Sequence, residues 1–161
     1  MVEINNLTSY PVNKKFFKKI AGKILKKEKK KNLELSIVLV NKKKIKELNR
    51  KYRGKDSPTD VLAFSGLQLP KMKNILGEVI ICPQEVKKNS KRFTPLEIRK
   101  IGKGRKERKA LTGFKTDFKK EMISCLIHGI LHILGYDHEG YLKEAKIMDK
   151  KQKYYLSKIF N

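Results

Sequence analysis

The succession of patterns along this 161-residue chain predicts one domain of the α/β or α+β class. Three observations carry that expectation. Short β-branched, apolar runs alternate with stretches whose apolar residues recur at helical spacing. Hydrophobic residues make up 39% of the chain, which at this length supports one sizeable core. Neither an internal repeat nor a linker divides the sequence, so residues 1–161 read as a single domain.

Residues 13 to 30 read as an amphipathic helix, with Phe16, Phe17, Ile20, Ile24 and Leu25 on one face and lysines on the other. Leu33 to Val40 is rich in β-branched residues and reads as a strand. Asn41 is suited to cap a helix running to about Tyr52, with Ile45, Leu48 and Tyr52 facing inward. Gly54 to Pro58 is turn chemistry, and Thr59 to Phe64 reads as a second strand. Leu69 to Asn74 reads as an exposed connection. Leu76 to Cys82 is a third strand, and Pro83 fits the first position of a following helix. Residues 92 to 120 hold eleven Lys or Arg against three acids, and glycines at 102, 104 and 113. That stretch reads as a basic insertion over about 92–118, with a short helix near Pro95 to Lys100. A long helix from about Asp117 to Leu134 follows, capped by Thr116 or Asp117. Leu142, Ala145, Met148, Tyr155 and Ile159 mark one face of a C-terminal helix.

The formal net charge is +24, and charged residues make up 35% of the chain. Such an excess favours a polyanionic partner such as nucleic acid. Lysine supplies most of it, so a solvated surface coat is the competing explanation. Cys82 and Cys125 lie in apolar company and make no disulfide framework. The first residues lack the apolar core of a signal peptide, and no apolar run approaches the ~18 residues of a membrane span. A cytoplasmic protein without a membrane partner is expected.

All three histidines fall between His128 and His138. His128 and His132 are four apart, which places them on one helical face. Gly135 stands where a helix ends in a left-handed residue, letting the chain turn back and bring His138 to the other two. Three imidazoles around one zinc ion leave a position for water or substrate, which describes an open site. Other divalent ions also suit three imidazoles. The spacing equals that of the metzincin proteases, but Gly129 stands where their general-base glutamate belongs, which counts against peptide hydrolysis. A closed site needs a fourth ligand. Cys125 lies seven residues from His132, ~10 Å along a helix, and Glu121 is similarly distant from His128. Cys82 remains open as that ligand. Gly129 inside the helix costs ~1 kcal/mol relative to alanine and marks a close approach.

A second constellation runs from Leu48 to Phe64. Arg53 stands just before its turn, and a guanidinium is a fixed fork of donors matched to phosphate, so Arg53 is a candidate phosphate clamp.

The run His128-Gly-Ile-Leu-His132-Ile-Leu-Gly-Tyr-Asp-His138 resembles the signature of the YbeY family, metal-dependent endoribonucleases of bacterial rRNA maturation. Leu48-Asn-x2-Tyr-Arg-x-Lys-Asp-x-Pro-Thr-Asp-Val-Leu-x-Phe64 and Leu76-Gly-Glu-Val-Ile-Ile81 are similar to further stretches of that family. The resemblance implies an α+β fold, a small sheet packed by helices, with a three-histidine metal site at the end of a long helix. It implies zinc on His128, His132 and His138, single-strand-selective RNA cleavage, processing of 16S rRNA ends and ribosome quality control. The partners it implies are ribosomal RNA and the small ribosomal subunit. The family's critical arginine falls on Arg53 and its first motif histidine on His128, making these two the catalytic candidates. The basic segment at 92–118 is longer than the family pattern and bears on RNA or ribosome contacts.

With three histidines committed as ligands, the proton acceptor must be water at the metal, another water, or a carboxylate such as Asp137 or Glu139. Asp137 also suits a role orienting a neighbouring histidine. Two alternatives stand beside the nuclease: a non-catalytic ribosome-assembly factor with a structural metal, and a metzincin-like peptidase.

Overall fold

The computed structural model describes residues 1–66, 74–90, 118–136 and 142–160. The basic insertion expected at 92–118, its short helix, the caps Thr116 and Asp117 and most of the connection from Leu69 lie outside those residues. The described elements are β1 (Val2–Asn6), α1 (Lys14–Lys27), β2 (Glu34–Leu39), α2 (Lys42–Arg53), β3 (Val61–Ser65), β4 (Ile75–Ile81), α3 (Pro83–Ser90), α4 (Phe118–Ile133) and α5 (Leu142–Phe160). They make an α+β fold around a four-stranded sheet of order β1-β2-β4-β3. β1, β2 and β4 run parallel, and β3 pairs antiparallel to β4 at the edge.

The period-2 side-chain alternation of the strands builds two cores. Leu35, Ile37, Val79 and Ile81 face a large core with α1, α4 and α5. Ile80, Leu62 and Cys82 face a smaller one closed by Ile45 of α2. The Asn41 cap forms as expected, accepting from the Lys44 amide at 2.9 Å, and Asn13 caps α1 in the same way, accepting from the Phe16 amide at 3.0 Å. α4 is apolar almost all round because it lies between the sheet and α5, burying Met122, Ile123, Leu126, Ile127, Ile130 and Leu131.

Two departures from the sequence reading stand out. β1 was not expected; its Val2 and Ile4 pack on the large core while Glu3 and Asn5 are exposed. Five residues carry too little periodicity to register alone, and pairing with β2 at Val2↔Leu35 through Asn6↔Leu39 fixes them. Tyr52 was expected to face inward with Ile45 and Leu48, but it is 56% exposed. Ile45 is buried and Leu48 packs against the smaller core, while the last turn of α2 leaves Tyr52 on the surface.

α4 ends as Gly135 predicts. Gly135 has φ +91°, the Tyr136 amide donates to the Leu131 carbonyl and the Gly135 amide to the His132 carbonyl, each at 3.0 Å. This is a Schellman cap, and it ends the helix within the described residues.

Glu28, at the end of α1, ties that exit down. Its carboxylate accepts from Tyr136 Oη at 2.9 Å, from Lys151 Nζ at 2.7 Å and from the Tyr155 hydroxyl. Burial alone would raise the Glu28 pKa; the bonds from Lys151, Tyr155 and Tyr136 outweigh it and hold the carboxyl below its ordinary 4.5. A depressed carboxyl contributes stability above its unfolded pKa and loses it as pH falls through the folded value. Glu28→Gln is therefore expected to cost about 1–3 kcal/mol at neutral pH. In urea titrations the gap between the two proteins should close as pH drops below 4.5. A gap that persists unchanged in acid would refute the charged clamp.

Candidate metal centre

α4 carries His128 and His132 one turn apart, both half-buried. Their Nε2 atoms are 3.1 Å from each other, and their rings meet edge-to-face with centroids 4.6 Å apart. Two nitrogens each ~2.1 Å from one tetrahedral zinc stand about 3.4 Å apart, so this pair is already close to ligand spacing.

The other side of His128 explains the ring's orientation. Its Nδ1 is 3.0 Å from Gln152 Oε1 on α5, and Gln152 Nε2 donates to Ser124 Oγ at 3.1 Å. An amide oxygen only accepts, so in this arrangement Nδ1 carries the proton and Nε2 presents its lone pair. Gln152 escaped the sequence reading because it is twenty-four residues from His128. Nothing in its own neighbourhood marks it. Outer partners of ligating histidines contribute about 10–100-fold to metal affinity. Gln152→Ala is expected to weaken zinc binding by that factor in chelator competition while leaving the fold intact. Unchanged affinity would show that α5 plays no part in holding the ring.

Gly129 also gains an explanation. A methyl group there would stand 2.7 Å from Val79 Cγ1 and 3.3 Å from Val61 Cγ2. The close approach expected of this glycine is thus to the sheet, and it sets how near β3 and β4 come to the histidines. A side chain the size of the metzincin glutamate has no room at that position.

The histidines open onto a cavity of about 530 Å³ between α4, β3 and the end of α2. Tyr52, Arg53, Asp60 and Phe64 line it along with His128 and His132. Arg53 closes α2, where Gly54 takes a left-handed conformation (φ +69°) and its amide donates to the Arg50 carbonyl at 3.1 Å. Asn49, buried a turn earlier, donates through Nδ2 to the Ser57 carbonyl at 2.7 Å and holds the turn against the helix. The two separate motifs therefore meet: Arg53 and the histidine pair share one cavity.

Asp60 is a wall carboxylate that the sequence did not single out. Asn89 Nδ2 donates to its Oδ2 at 3.2 Å and the Thr59 hydroxyl to its Oδ1 at 3.3 Å. Burial, and then the Asp60 charge, push the Cys125 thiol well above its ordinary range. Glu121 is raised by burial first and by Asp60 last, against the lowering effect of Lys120. Cys82, the possible fourth ligand of a closed site, belongs to the smaller core on the sheet face opposite α4. His138, Asp137 and Glu139 lie outside the described residues. Among the described residues no group of three or more His, Cys, Asp or Glu gathers to hold a metal.

The family model for Endoribonuclease YbeY matches residues 3–103 and 104–160. Endoribonuclease YbeY of Thermotoga neapolitana is 38% identical over 130 residues, 81% of this chain and 70% of its own length. That of Persephonella marina is 41% identical over 139 residues, covering 85% and 77%. The solution structure of TM1509 from Thermotoga maritima superposes with a TM-score of 0.62 at 31% identity, covering 99% of this chain and 89% of that one. By its sequence and its fold alike, the chain belongs to the YbeY endoribonuclease family.

Proposed function

We propose that this chain is a metal-dependent, single-strand-specific endoribonuclease acting in 16S rRNA 3′ end maturation and ribosome quality control. Its partners are ribosomal RNA and the small ribosomal subunit, and its place is the cytoplasm. One zinc ion is held by His128, His132 and His138. The observation that carries this reading is the approach of His128 Nε2 to His132 Nε2, 3.1 Å, on the wall of the cavity that Arg53 also lines. The net charge of +24 suits a polyanionic substrate.

A bound ion there supplies a Lewis acid that lowers the pKa of water and polarises a phosphoryl oxygen. The protein's own groups do the rest. Arg53 binds the phosphate and offsets charge that develops on its oxygens. Gln152 holds His128 in the tautomer that leaves Nε2 available. Asp60 joins Asp137 and Glu139 as a candidate proton acceptor, since it is the carboxylate on the cavity wall.

The test is incubation of the zinc-loaded protein with single-stranded and duplex RNA, with and without chelator. Cleavage of the single strand alone, stopped by chelator and restored by zinc, is expected. Intact RNA in every reaction would overturn the nuclease reading and favour a binding factor.

A further inference from the structure

Tyr52 has no part in the chemistry assigned above, yet its ring lines the same cavity as Arg53, His128 and His132. It follows Ile45 and Leu48 on one helical face, but Ile45 is buried, Leu48 is partly buried against the smaller core, and Tyr52 is 56% exposed. The ring is nevertheless held. Phe64 of β3 meets it edge-to-face, with centroids 5.0 Å apart and planes at 67°. Phe64 packs in turn against the smaller core, so the sheet edge braces the tyrosine. Lys51 Nζ stands 5.2 Å from the Tyr52 centroid. α2 as a whole carries seven Lys or Arg against the single acid Glu47.

A phosphodiester is recognised by cations and hydrogen-bond donors, and Arg53 and Thr59 bring such groups to the cavity wall. The face of a braced, exposed aromatic ring offers a phosphate nothing; only the Tyr52 hydroxyl can donate to one. The ring face offers a nucleobase a stacking partner, and it loses little conformational entropy in doing so.

We propose that Tyr52, braced by Phe64, is a stacking subsite for an unpaired nucleobase beside the phosphate that Arg53 binds. The proposal rests on the endoribonuclease reading and gives its strand selectivity a local cause. A base within a duplex is already stacked on both faces, whereas a single strand can turn one onto the ring.

The experiment uses the full zinc-loaded chain and two labelled strands of equal length. One is single-stranded DNA, which has bases but is no ribonuclease substrate; the other is the same sugar–phosphate backbone without bases. Anisotropy at one fixed salt concentration gives both affinities. Tyr52→Ala should weaken binding of the base-bearing strand about 5- to 100-fold and leave the baseless strand unchanged. Tyr52→Phe keeps the ring and should bind like the wild type. A 2-aminopurine base in the strand should be quenched by the wild type and by Tyr52→Phe, not by Tyr52→Ala. With cleavable RNA, Tyr52→Ala should raise KM by a similar factor.

An alanine variant that binds the base-bearing strand like the wild type overturns the subsite. So does a phenylalanine variant that loses as much as alanine, because the hydroxyl would then be the contact. Wild-type protein that quenches the probe but cleaves no RNA overturns the nuclease reading and leaves the subsite standing. Wild-type cleavage with an unaltered KM in Tyr52→Ala overturns the subsite alone.

Discussion

His132→Ala is expected to lose bound zinc and RNA cleavage together. His132 is half-buried on α4, a helix held by its buried apolar neighbours, and alanine is the best helix former. The fold should therefore survive the substitution. What disappears is one of two nitrogens already 3.1 Å apart. Two imidazoles alone bind divalent ions far more weakly than three. Residues that merely orient a ligand contribute about 10–100-fold, so losing a ligand itself should cost at least about 100-fold in affinity. Elemental analysis after desalting should find the variant without zinc, and a fluorescent single-stranded RNA should stay intact beside the cleaved wild-type reaction. A variant that keeps stoichiometric zinc would place the ion elsewhere. One that lacks zinc but cleaves normally would remove the metal from the chemistry.

Much of the fold was legible because its signals are local. The asparagine cap at 41 and the glycine at 135 each satisfy backbone groups within a few residues. β1 was illegible for the opposite reason: its partner strand begins about thirty residues later, and pairing rather than propensity makes it a strand. Tyr52 shows a third situation. Helical periodicity assigns it to the inner face, but periodicity cannot reveal where the element beneath a helix ends. The failure of the pattern there coincides with the rim of the cavity, where an exposed ring has a use.

The site divides in the same way. The histidine spacing and Gly135 were readable because one helix and one cap set them. The meeting of Arg53 with the histidines needed β3 and β4 packed on α4, which depends on a glycine that lets Val61 and Val79 approach. Gln152 comes from an element distant in sequence that no spacing rule reaches, and Asp60 lies within the Leu48–Phe64 stretch but shows its place on the cavity wall only in the fold. Glu28 is the extreme instance, joining Tyr136 and Tyr155 across more than a hundred residues.

Arg53→Ala should behave in the contrasting way, keeping zinc and losing cleavage. Arg53 is exposed at the last position of α2, and the left-handed Gly54 that follows it ends the helix whatever precedes it. Its removal takes nothing from either hydrophobic core and none of the three imidazoles. The loss should fall on the charge that grows on phosphate oxygens during bond breaking. Removing one such fixed donor typically lowers kcat about 10²–10³-fold. Arg53→Lys restores charge without the planar fork, so it should recover only part of the rate. Zinc content equal to wild type in all three proteins is the required control, since metal loss would mimic the effect. If Arg53→Ala raises KM while kcat holds, the guanidinium acts on the bound substrate as strongly as on the transition state, and its role is recognition. If both constants match the wild type, phosphate neutralisation belongs to another cation, and the shared cavity of arginine and histidines loses its mechanistic meaning.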